Sequence, residues 1–103
     1  MARRAVTKMK KAAYKRALEV VGAVVREWDP YGLIAGGAPA DEFDSEIAAV
    51  VRQIPRIRTE KEAALALSRV FSAAFEADHF LPEQCTEAGK KLFAELSANR
   101  LVG

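Results

Sequence analysis

A small all-α domain of four helices is the fold class this sequence predicts, and three observations carry the prediction. Apolar residues recur at alternating spacings of three and four through four separate stretches, the period of a helix with one buried face. Proline or glycine interrupts the pattern between those stretches, at 30–39, 55 and 82. Half of the 103 residues are hydrophobic but only 8% are aromatic. Alanine and valine supply much of the rest, which suits close-packed helices better than a broad sheet. A chain of this length fits one domain, 1–103, whose ends at 1–5 and 99–103 are expected to fray.

The first helix is expected from Arg4 to Trp28. Tyr14, Leu18, Val21, Val25 and Trp28 lie on one face, widened on one side by Met9, Ala13, Ala17, Val20 and Val24. Arg4, Lys8, Lys11, Lys15 and Glu19 line the opposite side. Leu18 to Val25 holds four valines and a glycine, and so competes as a strand. The helical pattern continues on both sides of it and decides for helix. So broad an apolar face is compatible with a monomer that buries it all and with a dimer that shares part of it. Asp29-Pro30 ends the helix, because a residue before proline is pushed out of the α region.

Pro30 to Ala40 reads as a loop of eleven residues, longer than the connections usual between bundled helices. Asp-Pro-Tyr-Gly has turn chemistry, Leu33 and Ile34 are expected to dip back onto the core as a short helical turn, and Gly36-Gly37 before Pro39 forms a second break. The second helix is expected from Asp41 to Ile54, burying Phe43, Ile47, Val50 and Ile54. Thr59-Glu60-Lys61-Glu62 matches a capping box, so the third helix starts at Thr59. It should run to His79 with Ala64, Leu67, Phe71, Ala74 and Phe75 inward. Pro82 suits the first position of the fourth helix, with Glu83 near its positive end. Cys85, Ala88, Leu92 and Leu96 face inward, and Gly89 would let a neighbouring helix approach. The order of the helices around the core is not legible in the pattern.

The net charge of +2 hides an asymmetry. Residues 1–16 carry seven bases (Arg3, Arg4, Lys8, Lys10, Lys11, Lys15, Arg16) and no acid. The other 87 residues hold nine bases and fourteen acids, a net charge of −5. The single cysteine excludes an intramolecular disulfide and fits a reducing compartment. No apolar run is long enough to span a bilayer, and none follows the basic start as a secretory signal requires. A cytoplasmic protein that binds no membrane is the expectation.

The segment Trp28 to Glu46 is the candidate site. It combines one tryptophan, two prolines, three glycines and five acids. Trp28, Asp29, Pro30 and Pro39 are read mainly as fixing its shape, with loop carbonyls or Asp29 as partners for the Trp28 indole. Asp41, Glu42, Asp44 and Glu46 are read as capping a helix start, doubling as a contact surface. A hard-cation site would need carboxylates at an EF-hand-like spacing that is missing, so no metal is expected. Gly32, Gly36 and Gly37 form no phosphate-binding signature, so no nucleotide or other cofactor is expected. His79 and Cys85 are the only residues of their kinds and complete no zinc tetrad. They read as a helix-end residue and a small buried hydrophobe.

The fragments Trp28-Asp29-Pro30 with Gly32, then Gly37-Ala38-Pro39, then Asp41-Glu42-Phe43-Asp44 with Glu46, together resemble the YugE-like domain-of-unknown-function family of small bacterial helical proteins. The two helices that follow these fragments, and Leu81-Pro82-Glu83, fit the same layout, so the resemblance covers nearly the whole chain. It implies a compact all-helical fold and a bacterial source, and it supplies no catalytic residues.

Three function classes follow. The first is a non-catalytic module that binds an unidentified protein through Trp28, Asp29, Pro30, Gly32, Pro39, Asp41, Glu42, Phe43, Asp44 and Glu46. The second is an immunity-type protein whose acids would meet the basic active site of a toxin. The third is a nucleic-acid-associated factor using the basic start. A metal-assisted enzyme would require a stability rise on adding a divalent cation, and none is expected.

Overall fold

Each apolar stripe folds as the helix it predicts, and the packing supplies the order that the pattern withholds. The computed structural model describes residues 10–39, 41–75 and 79–102. Its α-helices are α1 (Lys11–Trp28), α2 (Asp44–Gln53), α3 (Glu60–Ala74) and α4 (Thr86–Ala98), and there is no strand among the described residues. Helix α1 packs on α2 and α4, and α3 packs on α2 and α4. The order around the core is therefore α1, α2, α3, α4, with α1 and α3 diagonal and meeting through their aromatic side chains.

Several boundaries differ from expectation. Lys10 has extended backbone, so α1 starts at Lys11 and not at Arg4. The helix expected before Lys10 lies outside the described residues, as do Arg3, Arg4 and Lys8. On the α1 stripe Ala17, Val21 and Val25 are fully buried, but Tyr14, expected inward, is 40% exposed.

Helix α2 starts at Asp44, three residues later than expected, because Asp41 to Phe43 form a turn in which the Asp44 amide donates to the Asp41 carbonyl at 3.1 Å. Its predicted stripe holds: Phe43, Ile47, Val50 and Ile54 are all buried. The helix tightens into a 3₁₀ turn at Ile54–Arg56, since Pro55 has no amide hydrogen to continue the α ladder.

Thr59 caps α3 as predicted, its hydroxyl accepting from the Glu62 amide at 3.0 Å. The Glu62 carboxylate reaches one residue further than the capping box requires and accepts from the Arg58 amide at 2.8 Å. Helix α3 ends at Ala74, short of His79, where Phe75 leaves the helical region at φ −132 and ψ −149. Ala74, expected inward, is consequently exposed at this last turn.

Pro82–Cys85 is a 3₁₀ turn that leads into α4. There Gly89 does what its position predicted: a Cβ would lie 2.7 Å from the Ala64 backbone, so α3 and α4 touch main chain to main chain. Beyond α4, where fraying is expected, the Leu101 amide donates to the Leu96 carbonyl at 2.8 Å and the Arg100 amide to the Ser97 carbonyl at 3.0 Å. This is a Schellman closure with Arg100 in the left-handed region at φ 56. It lays Leu101 and Val102 on the core.

Candidate functional site

The loop after α1 is built around Asp29. This residue closes α1 in the left-handed conformation, at φ 48 and ψ 64, with its amide donating to the Val25 carbonyl. Aspartate tolerates that conformation better than most side chains. Its carboxylate then spans the loop, accepting from the Ile34 amide at 2.9 Å and from the Ala35 amide at 3.0 Å. Both oxygens thus serve the loop backbone, and not the Trp28 indole for which Asp29 was a candidate partner. Pro30 is buried beneath the turn. Tyr31 and Gly32 follow with φ of 65 and 63, and only glycine adopts that region without strain.

Leu33 to Gly36 make the expected helical turn, with the Gly36 amide donating to the Gly32 carbonyl at 2.9 Å. The turn is shut by a second Schellman pair: Ala38 donates to Leu33 at 2.9 Å and Gly37 to Ile34 at 3.1 Å, with Gly37 at φ 108. Leu33 and Ile34 pack against the core. A stretch without long secondary structure is therefore hydrogen-bonded almost residue by residue.

Beneath the loop lies an aromatic cluster that sequence reasoning did not assemble. Trp28 sets its ring edge-on to Phe71 at 5.0 Å and to Phe80 at 5.9 Å. Phe43 approaches Phe71 at 6.0 Å and Phe75 at 6.4 Å. Tyr31, 48% exposed, closes the cluster at the surface, edge-on to Phe75 at 5.7 Å, His79 at 5.7 Å and Phe80 at 5.6 Å. Phe80 is fixed through its carbonyl, which accepts from the Ser68 hydroxyl at 2.6 Å and the Ser72 hydroxyl at 3.3 Å. Ser68 carried the available signal: it lies between Ala64 and Phe71 on the inward stripe, and a buried hydroxyl requires an acceptor.

The acids divide into two pairs. Asp44 and Glu46 sit in the first turn of α2, where the helix dipole favours them. Neither caps it, because the capping position is Phe43 and no side chain bonds there. Asp41 and Glu42 precede the helix and are exposed. Asp44 also pairs with Arg26 of α1 at 3.9 Å, at an exposure where such a pair adds little stability. Pro39 is exposed, and its carbonyl accepts from the Glu42 amide at 3.0 Å.

His79 and Cys85 are turned to different places. The His79 ring packs on Tyr31 at the surface, while the Cys85 thiol is buried and points to the Phe80 carbonyl at 3.9 Å. Burial pushes that thiol up to about 11, so it is protonated at neutral pH and a poor nucleophile. Among the described residues no group of three or more His, Cys, Asp or Glu is placed to hold a metal ion. Nor is any helix among them long and apolar enough to cross a membrane.

The basic block survives at the other end of α1, where Lys10, Lys11, Lys15 and Arg16 are all exposed. No curated protein and no solved structure matches the chain. Residues 20–98 match the family described as Domain of unknown function DUF1871, a span that takes in the whole 28–46 loop, its aromatic floor and all of α2, α3 and α4 but leaves out the basic block. The chain belongs to that family.

Proposed function

We propose that this protein is a non-catalytic interaction module that binds another protein through the 28–46 loop. The observation that carries the reading is the Asp29 carboxylate bonded to the Ile34 and Ala35 amides. It pre-forms a loop that presents a half-exposed tyrosine ring near Asp41 and Glu42, two exposed acids with no ion pair among the described residues. A surface already ordered before binding loses little conformational entropy on association. An exposed tyrosine on a rigid aromatic floor is the kind of anchor that carries binding energy in protein interfaces. Asp41 and Glu42 adjoin Phe43, whose ring touches the same Phe75 that supports Tyr31, so aromatic and acidic groups share one neighbourhood. The reading favours a partner surface with basic groups around an apolar centre.

The test is affinity capture from the native host's lysate with the full chain and with a Tyr31→Ala/Glu42→Lys variant of matched circular dichroism. A partner retained by the first and lost by the second is expected, and titration of that partner should show binding at least about tenfold weaker for the variant. Equal retention by both would remove the loop from the interface.

A further inference from the structure

We propose that two copies of this chain associate antiparallel across their α1–α2 faces, the basic start of α1 in each meeting the acidic start of α2 in the other. This uses a different face from the loop and does not rest on the loop reading.

The apolar stripe of α1 runs past the point where the core stops. Tyr14 is 40% exposed and Leu18 only half-buried, and both line an open groove of about 530 Å³ between α1 and α2 whose opposite wall is Ile47 and Ala48. The groove has Lys15 and Glu19 toward one end and Asp44, paired with Arg26, at the other. Its charges continue outward along the same sense, with Lys10 and Lys11 before the basic end and Asp41 and Glu42 before the acidic end, all exposed. Among the described residues none of Lys10, Lys11, Lys15, Arg16, Asp41 and Glu42 is ion-paired.

Within one molecule the basic start of α1 is too far from the acidic start of α2 to neutralise it. From Lys11 to Arg26, which marks the level of Asp44, the helix rises about 22 Å at 1.5 Å per residue. A second copy turned end for end removes the problem. A two-fold axis passing near Leu18, halfway between those levels, sets Lys11 opposite the partner's Asp44 and Lys15 beside the partner's Glu19. Tyr14 and Leu18 then close over the centre of the groove. The contact is self-complementary, so it closes at two copies and leaves no open end to propagate.

Sedimentation equilibrium of the full chain at low salt reads this directly. The expected mass is twice the 11.2 kDa of one chain, falling toward that of one chain as salt screens the charges. Lys10→Glu/Lys11→Glu and Asp41→Lys/Asp44→Lys should each be monomeric, since each makes both contacts between an α1 start and an α2 start repulsive. Mixed in equal amounts, the two variants should recover the doubled mass, because every contact again joins opposite charges. Ala48→Arg, which fills the groove without removing a charge pair, should also be monomeric. Tyr31→Ala should leave the mass unchanged, which separates this dimer from the loop reading. A wild-type chain that stays monomeric at low salt overturns the proposal. So do charge variants that dimerise alone, or a mixture that fails to restore the doubled mass.

Discussion

The two ends of α1 carry the same kind of apolar stripe and meet different fates. At the C-terminal end Val21 and Val25 are fully buried, and Trp28 is set among phenylalanines from α3 and the segment after it. At the N-terminal end Tyr14, on the same face, is 40% exposed, and the residues beside it are lysines and an arginine. The difference follows from helix length. Helix α1 has 18 residues, about 27 Å at 1.5 Å per residue. Its neighbours α2 and α4 have 10 and 13, about 15 and 20 Å. They cannot cover α1 from end to end. Periodicity tells which face of a helix is apolar; only the lengths of its partners decide how far along that face the core extends.

The largest expected effect tests whether the aromatic end really is where stability is concentrated. Phe71 is fully buried and touches Trp28, Phe43, Phe75 and Phe80. Phe71→Ala should cost about 3 to 5 kcal/mol in urea unfolding, through lost burial and the cavity left among four rings. A loss below about 1 kcal/mol would mean that the cluster collapses freely around the gap, and the contrast between the ends would fail.

Two helical glycines sharpen the comparison at intermediate size. At Gly89 a Cβ would meet Ala64 main-chain atoms at 2.7 Å, and α3 and α4 would have to move apart. Gly89→Ala should therefore destabilise by about 1 to 3 kcal/mol. At Gly22, on α1, the nearest group is the end of the Arg26 side chain at 2.7 Å, which can swing away. Gly22→Ala should then gain up to about 1 kcal/mol from helix propensity. Opposite signs in the same denaturation assay are the expected outcome, and equal losses would show that α1 is packed as tightly at Gly22 as α4 is at Gly89.

How much of this was legible in the sequence divides along the same physical line. The α2 stripe of Phe43, Ile47, Val50 and Ile54, the Thr59 cap and the close approach at Gly89 are local or periodic features, and the residues carry them alone. The aromatic floor is not local. Trp28, Tyr31, Phe43, Phe71, Phe75 and Phe80 come from four segments, and spacing brings together only Phe71 and Phe75, four residues apart. The role of Asp29 is intermediate. Its position before Pro30 announces a break, but a carboxylate bonded to amides five and six residues later appears only when the turn between them is built. The shift of the α2 start to Asp44 has a similar cause. Burying Phe43 at the foot of the cluster holds Asp41 to Phe43 in a turn, and the acids that look like caps are left outside the helix or within its first turn.

Asp29 joins the C-terminal end of α1 to the loop that follows it. Asp29→Ala removes both carboxylate bonds and places alanine in a left-handed backbone, and should cost about 1 to 2 kcal/mol. Amide exchange at Ile34 and Ala35 should accelerate well beyond that of α4. Asp29→Asn keeps one acceptor and the tolerance of that backbone, and should fall between the two. If exchange at Ile34 and Ala35 is unchanged in the alanine variant, the loop is held by its Schellman closure and the burial of Leu33 and Ile34, and the clamp is incidental.

The smallest expected effect belongs to the exposed end. Tyr14→Ala, measured at high salt where the α1–α2 contact is weakened, should change unfolding free energy by less than about 0.5 kcal/mol, because the ring lies outside the buried cluster. The same substitution should lower the sedimenting mass at low salt, because there the ring closes over the groove. A tyrosine that is nearly neutral for folding yet needed for association would show that this end of α1 is apolar for a partner's sake. A large stability loss at high salt would instead place Tyr14 in the core of the single chain, and the two ends of the helix would no longer differ in kind.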